Sequence, residues 1–571
     1  MNRFLCLLPL TFIVLLGLTG CEPADKKNSE QTQITQMLEA ALGKQTFARA
    51  KTMYNEAAYI PPQCYTKTQD ESGQGHNPCF VCHANGKRPN FFNDTDLQLE
   101  YGFTAEYTQT NRWKNLFRDF SPQISKISDQ QIRDYVKVSN YLDKNGEIIL
   151  ARQLQQLPEQ WDVNKDGKWN GFMPDVYFNF DELGFDRNLQ GEFTGWRVFA
   201  YAPFAGAFFP TNGSTDDVLI RLPEAFRHNE QGEFDQNVYR LNLAIVESMI
   251  KEQAIDISAV DEQQYQVDLN KDGQLNIATQ IVYDWAPKEN KLMSYVGQAR
   301  LLFQQGKINM AAGLYPNGTE FLHTVRYLDS NERGEMQMSA RIKEVRYSKK
   351  ISWNNYAQLS NYALSEIKEK HDFPERLRTF KGDSERGLYS GMGWKLQGFI
   401  EDAQGQLRPQ TYEETAFCIG CHSGTSATTD GSFALPRKFA NNHFKNGWYH
   451  WSEKGFKGTP EPKMADGRYE YTTYLQHNRW GDEFRSNQQV YDKFYTQDGV
   501  LNQQAITELN RDISILLEPD LQRAMALNKA YKVIVEEQSY IWGRQAMLEP
   551  AVNVHEFVKT GTPTGLNAVL R

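Results

Sequence analysis

Two five-residue runs hold the side chains best suited to chemistry. Cys79-Phe80-Val81-Cys82-His83 and Cys418-Ile419-Gly420-Cys421-His422 both read Cys-x-x-Cys-His. On one helical turn, two thiols three positions apart can each form a thioether to a porphyrin vinyl group. The imidazole that follows then turns beneath the iron as its axial ligand. A bare CxxC is ambiguous between zinc, a disulfide and a redox dithiol. The added histidine, present twice, removes most of that ambiguity. Two covalently attached haem c groups are expected, held by Cys79, Cys82, Cys418 and Cys421, with His83 and His422 as proximal ligands.

In these runs and their flanks the chain resembles the cytochromes c. The resemblance implies iron that exchanges electrons, and the sixth ligand then decides the use: a second strong ligand makes a carrier, an open position a catalyst. Four side chains are candidate distal ligands. His323 lies on an apolar strand face, and His443 and His450 follow the second run among Phe, Trp and Tyr. Met392 sits in Gly391-Met392-Gly393. The plain alternatives are a hydrogen-bonded core histidine, a solvated loop and a gap-filling methionine. The stretch after the second run, with Thr429-Asp430-Gly431 and Phe433, resembles dihaem peroxidases, although the spacing between the signatures and the strand-rich insertion depart from that family.

The amino terminus supplies the address. Met1-Asn2-Arg3 is a short basic segment, residues 4–18 are apolar, and Leu18-Thr19-Gly20-Cys21 resembles a bacterial lipobox. That resemblance implies cleavage before Cys21, lipidation of its thiol and, with Glu22 next, an outer-membrane destination favoured over other sites in the periplasm or at the cell surface. No later run reaches the ~18–20 apolar residues of a spanning helix, so the only expected membrane attachment is the acyl anchor. With Cys6 in the signal, Cys21 lipidated and four thiols in thioethers, Cys64 alone is left over. It is either a small buried hydrophobe or a candidate catalytic thiol or thiolate ligand to the first iron.

Two further runs match each other: Asp162-Val163-Asn164-Lys165-Asp166-Gly167 and Asp268-Leu269-Asn270-Lys271-Asp272-Gly273. Both follow the opening of a calcium loop. Oxygens at positions 1, 3 and 5 converge on a hard cation, the glycine allows the sharp turn, and positions 7 (Lys168, Gln274) and 9 (Asn170, Asn276) add a carbonyl and a side chain. Position 12 departs, with Met173 and Thr279 where an EF-hand has glutamate. Asp175 is the candidate to complete the first loop. One or two structural calcium ions are expected, the alternative being metal-free Asp/Asn-Gly turns.

These sites need elements to position them. The 571 residues carry a formal net charge of −9 and no basic stripe, which argues against nucleic acid as a partner. Residues 1–20 form the signal and 21–32 a polar tether. Helical spacing begins with Ile34, Met37, Leu38, Ala41 and Leu42. Residues 33–190 make an N-terminal haem region with the first calcium-type loop, and residues 351–571 a mostly helical C-terminal haem region. Between them, 191–350 reads as β-rich with the second loop: Val218, Ile220 and Leu222, then Phe321, His323, Val325 and Tyr327, then Met338, Ala340 and Ile342 alternate with their neighbours. The fold class expected is α+β, helical ends flanking a β-rich middle. Redox partner proteins are expected, and three functions stand: a one-electron carrier, a dihaem oxidoreductase of peroxidase-like type, or a surface binding module.

Overall fold

The computed structural model describes residues 53–67, 79–83, 98–206, 209–422, 430–478 and 487–566. The signal, Cys21, the tether and the helix expected over 34–42 lie outside them. The alternating stretches do form strands. Along the described chain run β1 (Phe185–Arg187), β2 (Phe193–Phe199), β3 (Thr215–Arg221), β4 (Ile255–Asp261), β5 (Ile277–Ile281), β6 (Glu320–Ser330) and β7 (Met336–Lys350). They are followed by β8 (Gly382–Asp383), β9 (Gly387–Tyr389), β10 (Trp394–Glu401) and β11 (Leu407–Pro409). Nine strands make one sheet in the order β1-β2-β3-β6-β7-β10-β9-β8, with β11 on β10, while β4 and β5 pair separately. Every pairing in it is antiparallel.

Because side chains alternate across a strand, the register sorts them by face. Leu219, Leu322, Val345, Tyr347 and Phe399 pack one face against Tyr141, Leu150, Leu154 and Phe172, and Phe172 stacks on Tyr347 at 3.9 Å. The other face carries Val218, Ile220, Phe321 and Trp394, covered by the helix Gln236–Lys251. Farther along that face Leu396 and Ile400 meet Cys418, Ile419 and the helix Leu521–Glu537. Val218, His323, Arg346 and Gly398 form one row across four strands on this second face.

A mixed helix and sheet protein with its large antiparallel sheet in the middle is thus what forms, with two corrections to detail. The Gln236–Lys251 helix interrupts the β-rich stretch, and β8 to β11 continue the sheet beyond residue 350. The helix is buried nearly all round, so its apolar positions do not form a stripe. Strand β10 is buried on both faces and loses the alternation that betrays half-buried strands. Farther on, Asp520 caps the Leu521–Glu537 helix, its side chain accepting the Arg523 N–H at 2.7 Å.

Candidate functional site

The second signature ends the helix Tyr412–His422. Its first turn is fixed by a reciprocal pair in which Glu414 N–H donates to Thr411 Oγ1 and Thr411 N–H donates to Glu414 Oε2, at 3.1 and 2.8 Å. Arg408 grips the same carboxylate with two bonds of 2.8 and 2.9 Å. Glu413 accepts from the N–H groups of Tyr54 and Asn55 at 3.1 and 2.5 Å, which draws the segment before Cys64 against the helix. At Gly420 an added Cβ would lie 2.2 Å from the Tyr59 carbonyl oxygen. Glycine between the two cysteines is therefore what lets the chain leading to Cys64 pass over the motif.

The first signature forms a single turn, Cys79–Cys82, with His83 N–H donating to the Cys79 carbonyl at 2.8 Å. Phe80 and Val81 are buried among Phe209, Tyr471 and Tyr474. The two signatures, far apart in sequence, come into electrostatic reach of one another: Cys79, Cys82 and Cys421 all act on the Cys64 thiol, and Cys82 acts on Cys421. Cys82 and Cys421 are exposed, yet burial pushes the Cys421 thiol up to about 12 and Cys64 well above its ordinary value.

The histidines suit a metal. His422 stacks on Phe433 at 4.7 Å, and Phe433 packs on Trp394 and Phe321 of the sheet's second face. The His422 Nδ1 is 2.9 Å from Ser432 Oγ; with Nδ1–H donating, the lone pair is on Nε2. Burial first, then the charges of His323 and Arg346, lower the His422 pKa to about 3. Burial and Lys370 lower His83 to about 4. Both imidazoles are neutral at pH 7, the form that binds metal.

The four distal candidates are held in other ways. His323 Nε2 is 2.9 Å from Asp216 Oδ2, an oxygen that also accepts from the Tyr201 hydroxyl. His450 places Nε2 2.5 Å from Asp217 Oδ1 and Nδ1 2.5 Å from Ser452 Oγ, with its ring stacked on Phe180. His443 Nε2 is 3.2 Å from Thr459 Oγ1, its ring between Phe439 and Tyr449. Met392 fills a small cluster with Leu314, Leu359 and Ala363. His323 lies within electrostatic reach of His422.

Both calcium-type runs fold alike. Asp162 and Asp268 accept the N–H groups of Gly167 and Gly273 at 2.9 and 3.0 Å, and Lys165, Gly167, Lys271 and Gly273 all have positive φ. Each loop is braced from outside by a buried carboxylate. Glu385 accepts from Val163 and Asn170 N–H at 2.9 and 3.0 Å, and Glu262 from Leu269 and Asn276 N–H at 2.6 and 3.0 Å. Within the loops, Asn164 and Asn170 turn their amides to Asp166, as Asn270 and Asn276 do to Asp272, while Lys168 and Gln274 N–H donate to Asp166 and Asp272. Asp175 is not part of the first loop, a correction: it accepts from Trp196 Nε1 at 2.8 Å and pairs with Arg221 at 2.6 Å. Among the described residues no group of three or more His, Cys, Asp or Glu is gathered tightly enough to hold a metal ion.

Sequence reasoning missed Ser432, Arg346, Asp216, Glu385 and Glu262. No local pattern marks them: Arg346, Asp216 and Glu385 meet their partners through the sheet register or a distant loop, and Ser432 and Glu262 at spacings that belong to no motif.

A lipoprotein family model matches residues 48–513, and the chain belongs to that family. An uncharacterized lipoprotein of Aquifex aeolicus (strain VF5) is 32% identical to it, over 87% of this chain and 86% of that protein. No solved structure matches. Family membership agrees with the lipobox and with a lipid-anchored place in the cell envelope. Among the described residues no helix is long and apolar enough to cross a membrane.

Proposed function

We propose that this lipoprotein carries two haem c groups and performs redox chemistry at them. The observation that carries the reading is convergence: the two CxxC turns lie within electrostatic reach of each other, and the histidine that ends each motif is held neutral by burial. Bound there, the groups would supply two one-electron couples. The chain's own residues do the rest. Cys79, Cys82, Cys418 and Cys421 tether, His83 and His422 ligate, Ser432 fixes the His422 tautomer, and Phe433, Trp394 and Phe321 exclude water from that ring.

Catalysis is favoured over pure electron carriage by the engagement of His323, His443, His450 and Met392 with other partners. On this reading the second haem would be able to take an external ligand, and His323, oriented by Asp216, would serve as its acid–base group. The test is the absorption spectrum of the purified mature chain. A high-spin component that binds carbon monoxide and cyanide is expected. Two low-spin irons unmoved by either ligand would leave only a carrier. The paired loops are proposed as structural calcium clamps, with Glu385 fastening the β8–β9 hairpin to the first and Glu262 closing the second.

A further inference from the structure

We propose that Asp430 is the positioning residue for His422: buried against the ends of two sheet strands, it fixes the turn that brings Ser432 and Phe433 to the imidazole. The proposal rests on the haem reading above and deepens it by naming what sets the ligand ring in place. Asp430 opens the short turn Asp430–Ser432 beyond the second signature and is buried. Its carboxylate accepts three hydrogen bonds. Trp394 Nε1–H reaches Oδ1 at 2.7 Å, while the Tyr315 N–H and the Lys350 ammonium reach Oδ2 at 2.9 and 2.5 Å. Lys350 is as deeply buried as the carboxylate it meets.

These three anchors belong to one corner of the sheet. Lys350 ends β7, Trp394 begins β10, and the two are register partners. The Lys350 N–H also donates to the Thr319 carbonyl and its own carbonyl accepts from Gly318 N–H, both at 2.8 Å, which ties the approach to β6 into the same corner. The Tyr315 ring packs edge-on against Phe321 at 5.1 Å and Trp394 at 5.9 Å. All three partners are donors. A carboxylate, with acceptor oxygens at both ends and no hydrogen of its own, satisfies them together, whereas an asparagine amide would turn its NH2 against one of them.

From this anchor the chain delivers two contacts to His422. Ser432 Oγ lies 2.9 Å from Nδ1, and the Phe433 ring stacks on the imidazole at 4.7 Å. Phe433 is held in turn from both sides. Its N–H donates to the Asp430 carbonyl at 3.3 Å, and its ring lies 4.0 Å from Trp394, whose indole N–H grips Asp430. Every link from sheet to ligand is therefore a contact: Lys350 and Trp394 to Asp430, its turn to Ser432 and Phe433, and these to His422. Outer partners of this kind orient a ligating imidazole and fix its tautomer.

The test uses the full mature holoprotein and reads the reduction potential of each haem by spectroelectrochemistry. Joining Lys350→Met to Asp430→Ala removes both ions at once, so no buried charge is left unpaired and the net charge beside the site is unchanged. The potential of one haem should rise by as much as Ser432→Ala raises it, and adding Ser432→Ala to the pair variant should move it no further. Trp394→Phe, which keeps both charges and removes a single N–H, should shift the same haem in the same direction by less. Shifts that add in the combined variant, a shift shared equally by both haems, or unmoved potentials in a fully loaded pair variant overturn the positioning role. Where the pair variant fails to take up haem, Trp394→Phe is read by the same criteria and decides. A wild-type chain with no haem in the pyridine haemochromogen assay overturns the haem reading itself, whereas loaded wild type with unresponsive variants overturns the positioning role alone.

Discussion

Gly420 is the most tightly constrained single residue at the junction of the two signatures. Alanine in a helix ordinarily gains about 1 kcal/mol over glycine. Here the added Cβ would lie 2.2 Å from a backbone oxygen of Tyr59, which cannot swing away as a side-chain tip can. Overpacking of this kind costs about 1–3 kcal/mol, so the clash wins. Gly420→Ala should lower thermal stability and the yield of covalently loaded protein together; unchanged melting would mean the 59–61 segment does not press on the motif. Glu413 gives a pH test. Burial raises its carboxyl from 4.5 to about 7. Below about pH 4.5 both the folded and unfolded chains keep the proton, and the fold is not penalised. As pH rises through 7 the unfolded chain has lost its proton and the folded chain must follow, so stability falls. Relative to Glu413→Gln, wild type should lose up to about 3 kcal/mol between pH 4.5 and 8, measured by denaturant unfolding. A gap that grows in the acid direction would contradict the buried environment. Ser432→Ala removes the acceptor from His422 Nδ1 and with it some electron density on the ligating nitrogen. The reduction potential of one haem, and only one, should rise in voltammetry.

Among the elements, the first calcium-type loop joins parts of the chain far apart in sequence. Glu385 comes from the β8–β9 hairpin and reaches back to Val163 and Asn170. If the loops are filled, stripping calcium removes about 3 kcal/mol of linkage stabilisation per site at a hundredfold excess over Kd. The chelator-treated protein should therefore melt roughly 5 °C or more lower, and added calcium should restore it. Melting curves that superimpose would assign the loops to metal-free turns. The loops themselves were legible in sequence because their geometry is local: each side chain of positions 1, 3 and 5 bonds within its own turn. Their braces were not, since Glu385 is distant in the chain and Glu262 precedes its loop without any fixed spacing. The same contrast runs through the fold. Strands β3, β6 and β7 declare themselves by alternation because one face of each side-chain row differs from the other. Strand β10 and the Gln236–Lys251 helix are surrounded by protein on nearly every side and have no polar face to set the period. His323 stood out on an apolar strand, but its partner Asp216 sits on a neighbouring strand, and only the register brings them to 2.9 Å.

Across the whole molecule, one sheet acts as a partition. Its first face is closed by aromatic packing over 141–180, and its second carries Phe433, on which His422 stacks, and farther along Cys418. Segments far apart in the chain meet on that second side: the segment through Cys64, the Tyr412–His422 helix and the Leu521–Glu537 helix share one core. This sets the second signature beside the segment through Cys64, whose thiol is also within electrostatic reach of Cys79 and Cys82 of the first. The most direct measurement of the central claim is the covalent haem content of the mature chain, purified after expression with a haem-attachment system and read by pyridine haemochromogen absorbance and intact mass. Two haems per chain are expected, resistant to acid–acetone extraction, falling to one in the Cys418→Ser, Cys421→Ser double variant. A colourless mature chain whose mass matches lipidated polypeptide alone would contradict it.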